Sequence, residues 1–336
     1  MVTIDAHSDF ALNVYREHLK GNKNVLKEQH LPFLRKGGVN IEVLTVGGDF
    51  ELFPEFDAQD YNTIIKVIES IKNEISENSN LFYLIKNSKD FEKLGDNRIG
   101  YIMALEGSGS LGSEISLIKN YYNLGVRSFA LTHNKKNLLA DGCAVQSAKG
   151  LTKLGKDYVG ELNKLNVNID LSHISEPSFW DVLNIVDKPL VATHSNARSL
   201  CNHPRNLTDD QINAIAEKNG VIGINFFSIF IDDNGKNATV DKLVDHIDYI
   251  VDLVGIDHVG LGPDFLNYYI KDLKNLQGMD DPFGGISEPG SSFEVIRDIT
   301  GFPNLIELIK KRGYSDIEVG KIQGENFLRI FKEVIK

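Results

Sequence analysis

Short apolar runs rich in β-branched residues recur along the chain, each followed by a longer stretch with helical spacing. Eight such runs are present, at residues 2–6, 39–46, 99–105, 126–131, 167–171, 190–193, 221–226 and 258–262. Most are near-continuous rather than alternating, the pattern of parallel strands buried on both faces. Between them, residues 57–78, 111–123, 155–165, 176–186, 209–219 and 240–253 place apolar side chains at i, i+3, i+4 spacing and read as helices. Ser175 ahead of Glu176-Pro177 and Thr208 ahead of Asp209-Asp210 are predicted N-caps, and Gly220 is predicted to close the helix before the strand at 221. Eight strands alternating with helices over ~250 residues predict an α/β protein built as a TIM-like (β/α)8 barrel. The turn after the first strand has no G-x-G-x-x-G, which argues against a dinucleotide-binding sheet. No internal repeat or Pro/Gly/Ser linker divides the chain, so residues 1–336 are expected to form a single barrel domain with a C-terminal helical extension. Residues 267–292 read as an irregular insertion over the barrel mouth.

Composition narrows the partners. A chain of 336 residues allows two domains or one large barrel, and the strand count favours the barrel. Lys+Arg 36 against Asp+Glu 47 gives −11, with no basic cluster of the kind that neutralises a phosphate backbone, so neither nucleic acid nor an anionic membrane surface is an expected partner. Cys143 and Cys201 cannot build a disulfide framework and suit a reducing compartment. The first residues, Met1 to His7, carry no basic segment or apolar core of a signal peptide, and the longest apolar stretch, 221–230, is shorter than the roughly 20 residues a bilayer span needs. The end of the chain, 327–336, alternates apolar and charged residues like a surface helix and lacks a lipid-anchor signal. The expectation is a soluble, acidic, cytoplasmic protein, its oligomeric state left open with a homodimer included.

The polar residues that interrupt the strands cluster at one end. The first strand ends in His7-Ser8-Asp9, the third in Glu106, the fourth in His133, the fifth in His173, the sixth in His194 and the eighth in Asp264. In a barrel these ends converge on one cavity. His7 and Asp9, two apart on an extended strand, face the same side and can hold one ion. Taken singly each residue has a bland account: turn hydrogen bonds for His7 and Asp9, a surface acid in a glycine-rich turn for Glu106, satisfied core histidines for His173 and His194. Five such accounts at five positions on one barrel face are less economical than one site. Two carboxylates and three imidazoles are too many for a single tetrahedral zinc with an open position, but suit two ions bridged by Glu106, sharing a water whose lowered pKa supplies hydroxide at neutral pH. Asp264 stands outside that set and could move the proton from this water to a leaving amine, with a loop cap as its competing account. Arg205, in the loop after the sixth strand, is either a bidentate clamp for a substrate carboxylate or a solvated loop arginine; spacing does not separate the two. Gly-x-Ser-x-Gly occurs only in truncated form at 107–109, so a serine nucleophile has little behind it.

The segments IDAHSDF (4–10), ALEGSGSL (104–111), LTHNKKNLLADG (131–142), NIDLSHISEPSFWDV (168–182), ATHSNARSLCNHPRNLTDD (192–210) and GIDHVGLGPDF (255–265) resemble the membrane dipeptidase (renal dipeptidase) family of the metal-dependent amidohydrolase superfamily, as does the tail at 302–328. The resemblance implies a (β/α)8 barrel holding two Zn2+ ions and hydrolysing small dipeptides, with tolerance for a D-residue at the C-terminal position. It assigns His7 and Asp9 to one zinc, His173 and His194 to the other, and Glu106 to the bridge. It further implies Asp264 as general acid/base, His133 as support for the developing oxyanion and Arg205 as the clamp for the substrate's carboxylate. Where many family members read Gly-Ser-Asp-Phe-Asp-Gly, this chain has Gly262-Pro263-Asp264-Phe265-Leu266-Asn267, which bears on side-chain specificity. Two other readings stand beside the dipeptidase: a related amidohydrolase acting on N-acyl amino acids, and a barrel that binds peptides without cleaving them.

Overall fold

The computed structural model of the protein describes residues 1–50, 55–233, 235–266, 268 and 295–336. Strands β1 (Ile4–Ser8), β2 (Ile41–Gly48), β4 (Ile99–Glu106), β5 (Val126–Ala130), β6 (Asn168–Asp170), β7 (Val191–Ala192), β8 (Val221–Ile224) and β9 (Val259–Leu261) pair in that order, every ladder parallel. β9 comes back beside β1, so the sheet curls into a nearly closed eight-stranded barrel. Each of the eight apolar runs supplies one of these strands. A further short strand, β3 (Phe82–Leu84), pairs with the first three residues of β4, below the point where β5 takes over that edge.

Alternation along the strands separates two apolar layers. Ile41 and Val43 of β2 and Ile102 and Ala104 of β4 point inward, where they meet Ile4, Ala6, Val191 and Val221. Their neighbours Leu44, Val46, Met103 and Leu105 point outward and pack under helices such as α3 (Tyr61–Glu77) through Ile64, Val67, Ile68 and Ile71. The inward layer ends below in Phe327, Ile330 and Phe331 of the helix Asn326–Val334, so the C-terminal extension plugs the N-terminal mouth of the barrel. Asn326 fixes that plug by donating to the carbonyls of Ile256 at 2.7 Å and Val259 at 2.8 Å. The opposite mouth stays polar.

The helices keep their predicted order with shifted ends. Ser175 accepts from the Ser178 N–H and Thr208 from the Gln211 N–H, as N-caps do. The helix expected from 57 starts at Tyr61 because the Asp60 carboxylate caps it, and the one expected from 111 starts at Leu117, after the left-handed turn at Gly112. Gly220 does not close its helix by a left-handed turn: Asn219 takes that conformation (φ 57), and Gly220 is a glycine because a Cβ there would strike the Leu190 carbonyl. The helix α1 (Phe10–Leu19), which follows β1 with no breaker between, and the helical segment Leu26–Gly37 are not among the predicted helices. The insertion read at 267–292 lies outside the described residues, apart from Tyr268. Among the described residues no helix is long and apolar enough to cross a membrane.

Asn326→Ala removes two hydrogen bonds to backbone carbonyls, one of them buried. It is expected to cost about 1–3 kcal/mol of stability, read as a lower urea midpoint.

Candidate active site

The inward register of β4 runs Ile102, Ala104, Glu106, so the strand's last side chain enters the polar mouth directly above the apolar interior. On β1 the register against β2 slips between Asp5 and Ser8, and within that slip His7 faces the same space. His173 reaches it from a left-handed backbone (φ 66) after β6, and Asp264 does so from φ 63 after β9, conformations that non-glycine residues adopt at a cost. His194 follows β7. Gly223 and Gly262 have no room for a Cβ against the Thr193 carbonyl, which allows the ends of β8 and β9 to close on that strand.

Glu106 is the hub. Its Oε1 lies 2.8 Å from His173 Nε2, 3.3 Å from His194 Nε2, 3.5 Å from His7 Nε2 and 3.9 Å from His133 Nε2. Asp9 Oδ1 and Asp264 Oδ1 stand 3.9 and 3.7 Å from His7 Nε2 on the far side. Two sets of potential ligands result, His7-Asp9-Glu106 and Glu106-His173-His194, and they share Glu106. All five side chains are buried.

Burial opposes ionisation of Glu106, but the surrounding His7, His173 and His194 hold it well below the usual carboxylate range. Burial likewise works against protonating His7, yet the carboxylates of Glu106, Asp264 and Asp9 outweigh it and push its pKa up to about 10. Burial raises Asp9 well above its ordinary value, with the Glu106 charge adding to it. Burial pushes His133 down to about 4 and Asp264 up to about 6. A ring between three carboxylates that favours a positive charge this strongly marks a place where a cation fits.

The donor set supports the same conclusion. His7 Nε2 is buried without a hydrogen-bond partner, and His173 Nε2 and His194 Nε2 stand 2.8 Å apart. Three imidazoles and two carboxylates are ligands that first-row divalent ions accept. The outer nitrogens are held so that the inner ones keep their lone pairs. His173 Nδ1 lies 2.7 Å from the Asn134 amide oxygen, an acceptor only. His194 Nδ1 lies 2.8 Å from Thr193 Oγ1, whose hydroxyl donates to Asp170 Oδ2. Asp170 also neighbours His7 and His194 at ligand range, but its carboxylate is already engaged by the N–H groups of Ser172 at 2.9 Å and Thr193 at 3.0 Å, so it acts behind His194.

The remaining predicted residues assemble around this hub. Arg205 is buried, with Nη2 donating to the His194 carbonyl at 2.9 Å, its guanidinium 5.4 Å from the Phe230 ring and its Nε without a hydrogen-bond partner. That excludes the solvated loop arginine. Asp264 Oδ2 accepts from Asn225 Nδ2 at 2.9 Å, leaving Oδ1 toward His7. The altered loop after Asp264 packs inward, Phe265 edge-on to Phe226 and Leu266 in a small cluster with Phe227 and Phe230.

Several supporting residues escaped the sequence reading, namely Asp49, Asn134, Asp170, Thr193 and Asn225. Their only signal in the sequence is a polar residue type at or just past a strand end. Asp49, after β2, accepts from Gly109 N at 2.7 Å, from Asn137 Nδ2 at 2.6 Å and from the His133 N–H; burial pushes its carboxyl up to about 6.

The family model described as Membrane dipeptidase (Peptidase family M19) matches residues 1–336. The chain belongs to Peptidase family M19. Among relatives of this M19 chain, an uncharacterized dipeptidase of Schizosaccharomyces pombe is 29% identical over 361 residues, covering 98% of this chain and 80% of that protein. The solved structure of dipeptidase AC, a family M19 metallopeptidase, superposes with a TM-score of 0.82 at 25% identity, covering 99% of this chain and 98% of the other. A metallopeptidase of Rhodobacter sphaeroides, liganded with a phosphinate mimic of the dipeptide L-Ala-D-Ala, shares the fold with a TM-score of 0.82 at 24% identity, covering 100% and 99%. The protein is thus an M19 metallodipeptidase on a TIM-like amidohydrolase fold.

Thr193→Val removes the hydroxyl between Asp170 and His194 and frees the imidazole to turn. Metal affinity is expected to fall about 10–100-fold, measured by competition with a chromogenic chelator.

Proposed function

We propose that this M19 enzyme hydrolyses dipeptides carrying a free C-terminal carboxylate, L-D as well as L-L, with two Zn2+ ions held on either side of Glu106. His7 and Asp9 would hold one ion and His173 and His194 the other. The observation that carries this reading is the convergence of four imidazole nitrogens on Glu106 Oε1, within 2.8 to 3.9 Å. When bound, a divalent pair supplies Lewis acidity and a water acidic enough to attack a carbonyl at neutral pH.

The chain's own groups do the rest. Arg205, fixed through the His194 carbonyl and with Nε still unsatisfied, binds the terminal carboxylate and so sets how far the scissile bond enters. His133 is neutral at pH 7 because burial pushes its pKa down to about 4, and a neutral imidazole donates one N–H to the developing oxyanion without losing a proton to it. Asp264, held at Oδ2 by Asn225, takes the proton of the attacking water at Oδ1 and returns it to the leaving amine nitrogen.

A panel of L-L and L-D dipeptides against N-acyl amino acids, run on metal-loaded enzyme, tests the assignment. Turnover of dipeptides of both configurations is expected; preference for N-acyl amino acids with no dipeptide turnover would overturn it.

Asp264→Asn is expected to keep its metal and lose about 10² or more in kcat. The carboxyl of Asp264 titrates near 6, raised by burial, so as pH falls through that value it is protonated and can no longer accept a proton. Wild-type kcat/KM should therefore decline on the acid side around that pH, and the variant's residual activity should lack this limb.

A further inference from the structure

Residues 49 and 50 touch both halves of the catalytic apparatus. The Asp49 N–H donates to the Glu106 carbonyl at 3.1 Å, the Asp49 carboxylate accepts the His133 N–H, and the Phe50 ring meets the His133 ring edge-on at 5.4 Å. The same carboxylate accepts from Gly109 N at 2.7 Å and from Asn137 Nδ2 at 2.6 Å, and Asn137 in turn donates to the Leu131 carbonyl at 2.7 Å and accepts from the N–H groups of Leu139 and Ala140. One acidic side chain after β2 therefore ties the turn that follows Glu106 to the loop that carries His133. Space has been left for it: a Cβ on Gly107 or Gly109 would fall 2.6 or 2.5 Å from its carboxylate atoms.

The partners dictate the residue type. All three are N–H donors, so the group between them has to accept on both oxygens. An asparagine of the same shape satisfies one side and sets its own NH2 against a donor on the other. The Asp49 carboxylate is partly buried, a costly arrangement where a turn needs packing alone, and it sits where a shift of the loop would move His133 relative to Glu106.

We propose that Asp49 is a positioning residue for the dipeptidase reaction, acting through His133 by holding its loop in register with the Glu106 turn. This rests on the reading that His133 supports the oxyanion. A misplaced oxyanion donor weakens interactions made in the transition state more than those made with bound substrate, so the effect belongs in kcat.

The test is a double-mutant cycle on metal-saturated enzyme with one dipeptide: wild type, Asp49→Asn, His133→Ala and the pair. Asp49→Asn is expected to lower kcat about tenfold, with KM and bound metal within about twofold, and to add nothing once His133 is alanine. In the metal-free protein the His133 ring resonances should shift in Asp49→Asn while those of the distant His258 stay in place. Should Asp49→Asn fail to unfold cooperatively, Gly109→Ala serves instead, since its Cβ displaces the Asp49 carboxylate without altering its chemistry, and the same loss of kcat is expected. An Asp49→Asn enzyme with unchanged kcat, or single effects that multiply in the pair, overturns the positioning role and leaves the dipeptidase assignment standing. A His133→Ala enzyme with unchanged kcat overturns the role given to His133 as well.

Discussion

The Glu106 carboxylate constrains the rest of the molecule. An ionised carboxylate at the end of a buried strand is costly unless charge and donors surround it, and here four imidazoles approach one of its oxygens within 3.9 Å. The strands that bring those imidazoles have to end at one level, which the parallel barrel provides by delivering every strand in the same direction to the same mouth. The opposite end carries no such burden and is packed with Phe327, Ile330 and Phe331. Stability and chemistry are thus assigned to opposite ends of the same strands.

A ring of hydrogen bonds outside the hub decides how its members can act. Asn134 and the Thr193-Asp170 pair hold the outer nitrogens of His173 and His194, so that the inner nitrogens face Glu106 as acceptors. Asn225 engages one oxygen of Asp264 and leaves the other facing His7. Asp49 does the corresponding work for the His133 loop. These groups sit behind the imidazoles, and an imidazole free to rotate loses directional ligand strength. The left-handed backbones of His173 and Asp264 store strain in the same shell, which the surrounding contacts keep in place.

Charge explains why these side chains tolerate burial together. Asp9 is raised by burial, Glu106 and Asp264, and Asp264 by burial and Glu106, while His7 is raised by all three carboxylates against its burial. Each group's unfavourable environment is the favourable environment of a cation placed among them. The chain's formal −11 accordingly overstates the charge of the metal-loaded protein, since part of it lies in this pocket.

Much of this was legible in the chain itself. Near-continuous apolar runs spaced by amphipathic helices determine a parallel barrel, because a strand buried on both faces leaves no polar side to alternate. Abrupt His, Asp and Glu residues at the ends of those runs mark the side chains that gather around Glu106, because the fold brings strand ends together whatever lies between. The short strand Phe82–Leu84 and the helix Phe10–Leu19 carry too little periodicity to stand out. Whether Arg205 is buried or solvated depended on His194 and Phe230, which oxygen of Asp264 is free depended on Asn225, and which side of His194 keeps its lone pair depended on Asp170 through Thr193. Hydrogen bonds of that kind leave no spacing in the chain. Only the closed barrel brings their two ends to contact distance, and so only the tertiary structure could decide them.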